Sequence, residues 1–135
     1  MTNLEKLLDI TFPVVERLME EYGEFYPLAT AIKNNNEIVP VATFYEEDFP
    51  VAAQLLDKLK ESFIGKKNDY KALVICFNGK MNHPDTGKKT DVIVFIAEDN
   101  ENDLFYHFHY PYTIINKAID FGEPWKSIKQ KEIFI

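Results

Sequence analysis

Ala72-Leu73-Val74-Ile75-Cys76-Phe77 and Val92-Ile93-Val94-Phe95-Ile96-Ala97 are two apolar runs in which neither alternate set of residues is polar. Side chains alternate across a strand, so an antiparallel strand with one wet face alternates apolar and polar residues. Here Leu73, Ile75 and Phe77 point one way and Ala72, Val74 and Cys76 the other. Val92, Val94 and Ile96 likewise oppose Ile93, Phe95 and Ala97. The pattern predicts an antiparallel sheet buried on both faces.

Outward from these runs, strands are predicted over 70–80, 89–98 and 104–113. They are joined by His83-Pro84-Asp85-Thr86-Gly87 and by Asp99-Asn100-Glu101-Asn102-Asp103, both rich in turn formers. Short turns between neighbouring strands imply antiparallel pairing. Two further strands, 24–33 and 38–45, flank Asn34-Asn35-Asn36-Glu37, where asparagine tolerates the positive φ of a hairpin turn. Pro27 and Pro40 lack a donor N–H and belong at an edge, a strand start or a bulge.

Two helices complete the pattern. Over 3–22, Leu4, Leu7, Leu8, Val15, Leu18, Met19 and Tyr22 recur at three- and four-residue spacings, with Thr2 or Asn3 to cap the start and Gly23 beyond the end. Pro13 interrupts this helix, so the expectation is a kink near Asp9 or a new start capped by Thr11. A second helix is opened by Asp48 and Pro50, carries Val51, Leu55, Leu56, Leu59, Phe63 and Ile64 as its apolar stripe, and stops at Gly65. Residues 120–125 read as a turn or short helical piece, and Ile133-Phe134-Ile135 as a closing strand.

The order α-β-β-α-β-β-β over a single domain, residues 1–135, describes an α+β fold. It has a five-stranded antiparallel sheet with two helices packed on it, in two layers. Roadblock and profilin-like architectures share this order, an analogy of topology alone. Helices packed on one face leave the other needing the N-terminal helix, the C-terminal tail or a second copy of the chain as its cover; the alternative is a monomer in which the helices split, one to each face. A second copy of the chain is the economical cover, since two-fold homodimers dominate oligomers and large bare apolar faces are rare.

Composition narrows the function classes. A net charge of −7 argues against nucleic acid or an anionic membrane as partner, and leaves room for a basic protein. No segment approaches the ~18 apolar residues of a membrane span, and the first twenty residues carry too many charges for a signal peptide, so a cytoplasmic location is expected. The single cysteine, Cys76, excludes an internal disulfide and reads as a small core residue.

The chemically richest stretch is Phe105-Tyr106-His107-Phe108-His109-Tyr110-Pro111-Tyr112. Residues two apart share a strand face, which sets His107 beside His109. Two imidazoles so placed can take a divalent transition metal with further ligands, for which His83 and Asp91 are the leading candidates and Asp85 and Glu98 the others. Alternatively His107 and His109 line a ligand pocket with Tyr106 or Tyr112. Asn82 to Lys89 has the residues of an anion-binding loop but not the glycine pattern or following helix of a P-loop, and reads as a turn with Gly87 at positive φ. Glu46-Glu47-Asp48 and residues 98–103 lack the spacing of a calcium loop and read as solvated turns and helix caps. No Ser-His-Asp, Cys-His, paired-carboxylate or dinucleotide-binding pattern can be assembled.

Glu24-Phe25-Tyr26-Pro27, Thr90-Asp91 with the apolar run to Glu98, and Phe121-Gly122-Glu123-Pro124 resemble landmarks of a family of small bacterial α+β proteins for which no activity is established. The resemblance implies a compact bacterial α+β domain and carries no site residues. The reading that follows is a non-enzymatic, homodimeric interaction module without a cofactor, acidic enough to neutralise a basic partner as an immunity protein does. The alternative is a small-molecule- or metal-binding protein, or a minor enzyme, centred on His107 and His109.

Overall fold

The computed structural model describes residues 1–41 and 52–135. The expected ends of the second strand beyond Val41, the acidic run Glu46-Glu47-Asp48 and the cap and first turn at Asp48, Pro50 and Val51 lie outside the described residues. In chain order the elements are α1 (Asn3–Tyr22), β1 (Leu28–Lys33), β2 (Ile38–Val41), α2 (Ala52–Gly65), β3 (Tyr70–Asn82), β4 (Lys89–Asp99), β5 (Leu104–Ile115), β6 (Ala118–Phe121) and β7 (Trp125–Ile128). The fold is α+β, two helices on one antiparallel sheet. None of the helices is long and apolar enough to cross a membrane, among the described residues.

Among the described residues the sheet has seven strands rather than five, in the order β2-β1-β3-β4-β5-β6, with β7 also on β5. The two extra strands lie where a turn was expected. β5 turns back through Asn116 and Lys117, both at positive φ, and β6 pairs from Ile115↔Ala118 to Tyr112↔Phe121. Gly122 N–H still donates to Pro111 (2.8 Å), after which the register slips by one and β7 runs from His109↔Trp125 to Tyr106↔Ile128. β6 and β7 are thus one edge strand broken by a bulge at residues 122–124, where proline supplies no ladder donor. The tail at Ile133-Phe134 is not a strand, although both residues are buried.

Both faces of the sheet are buried, but the helices divide between them. On one face Leu4, Leu7, Val15 and Met19 of α1 meet Ala72, Val74, Cys76, Ile93, Phe95 and Ala97. On the other, Leu59 and Phe63 of α2 meet Ala29, Ala31, Leu73, Ile75 and Ile96, joined by Ile133 and Phe134 from the C-terminal segment. The domain therefore has three layers, not two, and the chain itself covers the centre of both faces.

α1 is uninterrupted. Thr2 accepts from Glu5 N–H (3.1 Å) at its start, and Gly23, at φ +72°, donates to Met19 at its end. Pro13 is tolerated because it and Asp9, whose carbonyl loses its partner, both face solvent. Thr11 is no cap. It is buried, bonds the Leu7 carbonyl (2.6 Å) and lies 3.0 Å from Thr30 Oγ1 on β1.

Candidate functional site

The alternation along β5 decides which side chains meet. Tyr106, Phe108, Tyr110 and Tyr112 pack toward α1, whereas Phe105 packs with the cluster under α2. His107 and His109 therefore belong to the α2 side, and the expected pocket of His107, His109, Tyr106 and Tyr112 is split across the sheet. Tyr106 lies tilted against Phe108 (5.6 Å), and Lys126 Nζ stands over its ring (4.8 Å). Burial raises the phenol of Tyr112, with Asn78 and Asp91 beside it.

A different set gathers around the histidines. Trp125 is the cross-strand partner of His109, and their rings stack at 5.1 Å and 14°. His83, at the tip of the β3–β4 hairpin, lies against the same indole at 4.8 Å. His107 stands 6.3 Å from His109, ring to ring. All three histidines and the single tryptophan thus converge on one region. His83 Nδ1 accepts from Asp85 N–H (3.1 Å), which leaves the proton of its neutral ring on Nε2.

His109 is only 4% exposed, and its Nδ1 is buried with no hydrogen-bond partner among the described residues. Burial lowers its pKa, opposed by the Trp125 backbone and reinforced by His107 and Lys129. Burial also lowers His107, against the opposing pull of Glu132, with Lys129 and Lys60 adding to the fall. Both rings are therefore held toward their neutral forms.

His107 leads directly to the C-terminal segment. Its Nε2 lies 3.4 Å from Glu132 Oε2, while Glu132 Oε1 lies 3.7 Å from Lys60 Nζ on α2. Beneath this bridge the carboxylate of Glu98, 2% exposed, accepts from the backbone N–H groups of Glu132 (2.9 Å), Ile133 (3.1 Å) and Phe134 (3.2 Å). Both Glu98 oxygens are thus taken up by backbone amides, and the side chain is not part of a solvated turn. It replaces the sheet partner that three consecutive amides would otherwise lack. Asp99, pointing the other way, is also buried. It accepts from Asn3 Nδ2 (3.3 Å) and from the N–H groups of Glu101 and Asn102 (each 3.1 Å), pinning the start of α1 to the β4–β5 turn.

The metal set is likewise divided. Asp91 precedes Ile93 and Phe95 on the α1-facing alternation of β4 and lies 3.8 Å from Lys80 Nζ. Among the described residues no group of three or more His, Cys, Asp or Glu side chains is placed to hold a metal ion. The loop from His83 to Lys88 is a turn, closed by His83 N–H to Lys88 (2.8 Å) and Gly87 N–H to His83 (2.9 Å), with Gly87 at φ +69°. Cys76 is fully buried in the α1-side core, and burial pushes its thiol far above its ordinary value, which removes it as a nucleophile.

Trp125, Lys60 and Glu132 are the members of this face that the sequence did not point to. A signal for Trp125 existed in the alternation of Trp125-Lys126-Ser127-Ile128 directly after Pro124, which fits an edge strand. Comparison of the chain with models of known protein families, with curated proteins and with solved structures finds no match.

Proposed function

We propose that the chain is a non-enzymatic, homodimeric interaction module that docks through the α2-side face of β5 and β7, with Trp125 as its anchor. The seating of Trp125 carries this reading. Large aromatic side chains dominate interface energetics because they bury much area at little entropic cost. His83 and His109 both pack against the half-buried indole, at 4.8 and 5.1 Å, which restrains its rotamer before a partner arrives. Lys60 and Lys129 stand nearby as a charged rim. Self-association no longer rests on a bare sheet face, since α2 and the C-terminal segment cover the centre of this one.

A basic partner of the immunity type would suit another surface, the outer side of α1, where Glu5, Asp9 and Glu20 are exposed. Sedimentation of the full chain across the micromolar range tests the proposal. A dimer is expected, and Trp125→Ala should sediment as a monomer with unchanged circular dichroism. A natural chain that stays monomeric throughout removes the homodimer.

The buried, unpartnered Nδ1 of His109 favours a second reading, a small-ligand site. A lone polar atom in a buried setting is a place where a ligand group gains a full hydrogen bond. Stoichiometric zinc, nickel or iron in purified protein, lost in His109→Ala, would move the balance to this reading.

A further inference from the structure

The outer edge of the sheet at β7 is open. In an antiparallel pair, residues alternate between those that exchange both backbone bonds with the partner strand and those that turn both groups away from it. Lys129 N–H donates to Phe105 on β5 (3.0 Å), and the pairs His107↔Ser127 and His109↔Trp125 fall in step with that bond. Trp125, Ser127 and Lys129 therefore direct their backbone groups at β5. The N–H and C=O of Lys126 and of Ile128 point outward, where no strand pairs with them among the described residues.

The opposite edge is built differently. On β2, Lys33 N–H donates to Glu37 (2.8 Å), so by the same alternation Ile38 and Pro40 are the outward residues. Proline has no N–H, and Pro40 removes an outward donor from that edge. β7 keeps both of its own.

β7 is also the basic part of an acidic chain. Between Pro124 and Glu132 the sequence is Trp125-Lys126-Ser127-Ile128-Lys129-Gln130-Lys131, three lysines and no acid, against a net charge of −7 for the whole. The three lysines are exposed, and none forms an ion pair among the described residues. Across the bulge the same edge loses this character, with Asp120 and Glu123. Ile128 stands between Lys126 and Lys129 and is 84% exposed, more than any other large apolar side chain among the described residues. Lysine on an edge opposes pairing with a like-charged strand. Unmet backbone donors and acceptors beside lysines suit an extended strand of opposite charge.

We infer that β7 accepts an extended acidic segment of a partner protein as an added strand. The segment's backbone pairs with Lys126 and Ile128, and its side chains alternate between the two faces of the sheet. Trp125 stacks on His109 while Lys126 stands over Tyr106, so Trp125 and Lys129 meet the segment on one face, and Lys126 and Ile128 on the other. Every pairing in this sheet is antiparallel. In that direction the occupant reads acid, apolar, any, acid, aromatic from its N-terminal end, running opposite Lys129 back to Trp125. This goes beyond the homodimer reading and does not need it, because the pairing groups are backbone groups at the edge.

The test uses the full chain and the capped peptide Thr-Glu-Val-Thr-Glu-Phe-Thr. Trp125, the single tryptophan, reports binding by its fluorescence, and amide hydrogen exchange reports the pairing. Saturable binding is expected, with exchange slowed at least about tenfold at Lys126 and Ile128 and less at Ser127, whose N–H already faces β5. A peptide with lysine in place of both glutamates should bind at least about tenfold more weakly, because two attractive cross-strand pairs become repulsive. Lys126→Glu with Lys129→Glu in the chain should reverse that preference. No binding of the acidic peptide at about 1 mM overturns the inference and leaves the lysines as guards against self-pairing. Binding without protection at Lys126 and Ile128 overturns it too, as does equal binding of the two peptides. A chain that sediments as a monomer yet takes the acidic peptide with this protection removes the homodimer and supports the added strand.

Discussion

Replacing Glu98 by glutamine keeps the shape of the side chain while changing what it offers the three amides above it. Burying Ile133 and Phe134 contributes about 1.5–3 kcal/mol each. Ordering the backbone of residues 132–134 costs about 1–2 kcal/mol per residue. These two quantities nearly cancel, so the hydrogen bonds to Glu98 decide whether the segment stays seated. Bonds to a charged acceptor are worth about 1.5–3 kcal/mol each. Glutamine retains one acceptor oxygen but turns an amide donor toward N–H groups that are themselves donors, and it removes the charge assistance from the remainder. The expected loss is about 2 kcal/mol, and no more than the docking energy of the segment, because beyond that point the segment lifts off. Amide hydrogen exchange at Glu132, Ile133 and Phe134 should therefore accelerate about 30-fold in Glu98→Gln, while the central amides of β3 and β4 change less. Unchanged protection at these three amides would refute the assignment of Glu98 as the clamp.

Acidification should destabilise the fold. His107 and His109 both have folded pKa values lowered by burial, so below the ordinary imidazole value of 6.5 the unfolded chain binds protons that the folded chain refuses. Urea midpoints should fall from pH 7.5 to pH 5.5, and less so in His109→Leu; a flat profile would contradict the burial of these rings. Pro13→Ala should raise stability by about 1–3 kcal/mol, because it restores a donor to the exposed Asp9 carbonyl and removes a helix-interior proline; a lowered thermal midpoint would show that Pro13 has a structural role. Phe95→Ala, which removes the ring stacked on Phe12 (5.9 Å) and edge-on to Tyr110 (5.5 Å), should cost about 3–5 kcal/mol by chemical denaturation.

How much of this was legible depended on whether a feature is written in periodicity or in contacts between distant residues. The twin apolar faces of β3 and β4, the two helices and the turns at Asn36 and Gly87 follow from alternation, spacing and φ preferences. The division of the helices between the faces was hidden, since an amphipathic stripe says that a helix packs but not on which side. β6 and β7 were missed because Gly122-Glu123-Pro124 looks like a chain break, and because Asn116-Lys117 lacks the glycine that usually marks such a hairpin. At the site, the His107–His109 pairing was readable from period two. The same rule separates both from Tyr106 and Tyr112, a consequence that their closeness along the chain conceals. Trp125, Glu132 and Lys60 come together only through the sheet register and the path of the tail.

The placement of Asp99 against Asn3 bears on the order in which the chain assembles. That bond joins residues 96 positions apart, whereas β3, β4, β5 and β6 follow one another through short turns. Closing a small loop costs less chain entropy than closing a large one, and topologies rich in local pairings form faster. The meander should therefore organise first, with β1 joining β3 only after β2 and α2 have been spanned, and α1 last. Substitutions at Ile93 or Phe95 should then slow refolding, and those at Leu4 or Leu7 should mainly hasten unfolding. The Asn3–Asp99 bond becomes the final closure of the domain, the contact whose formation marks the end of folding.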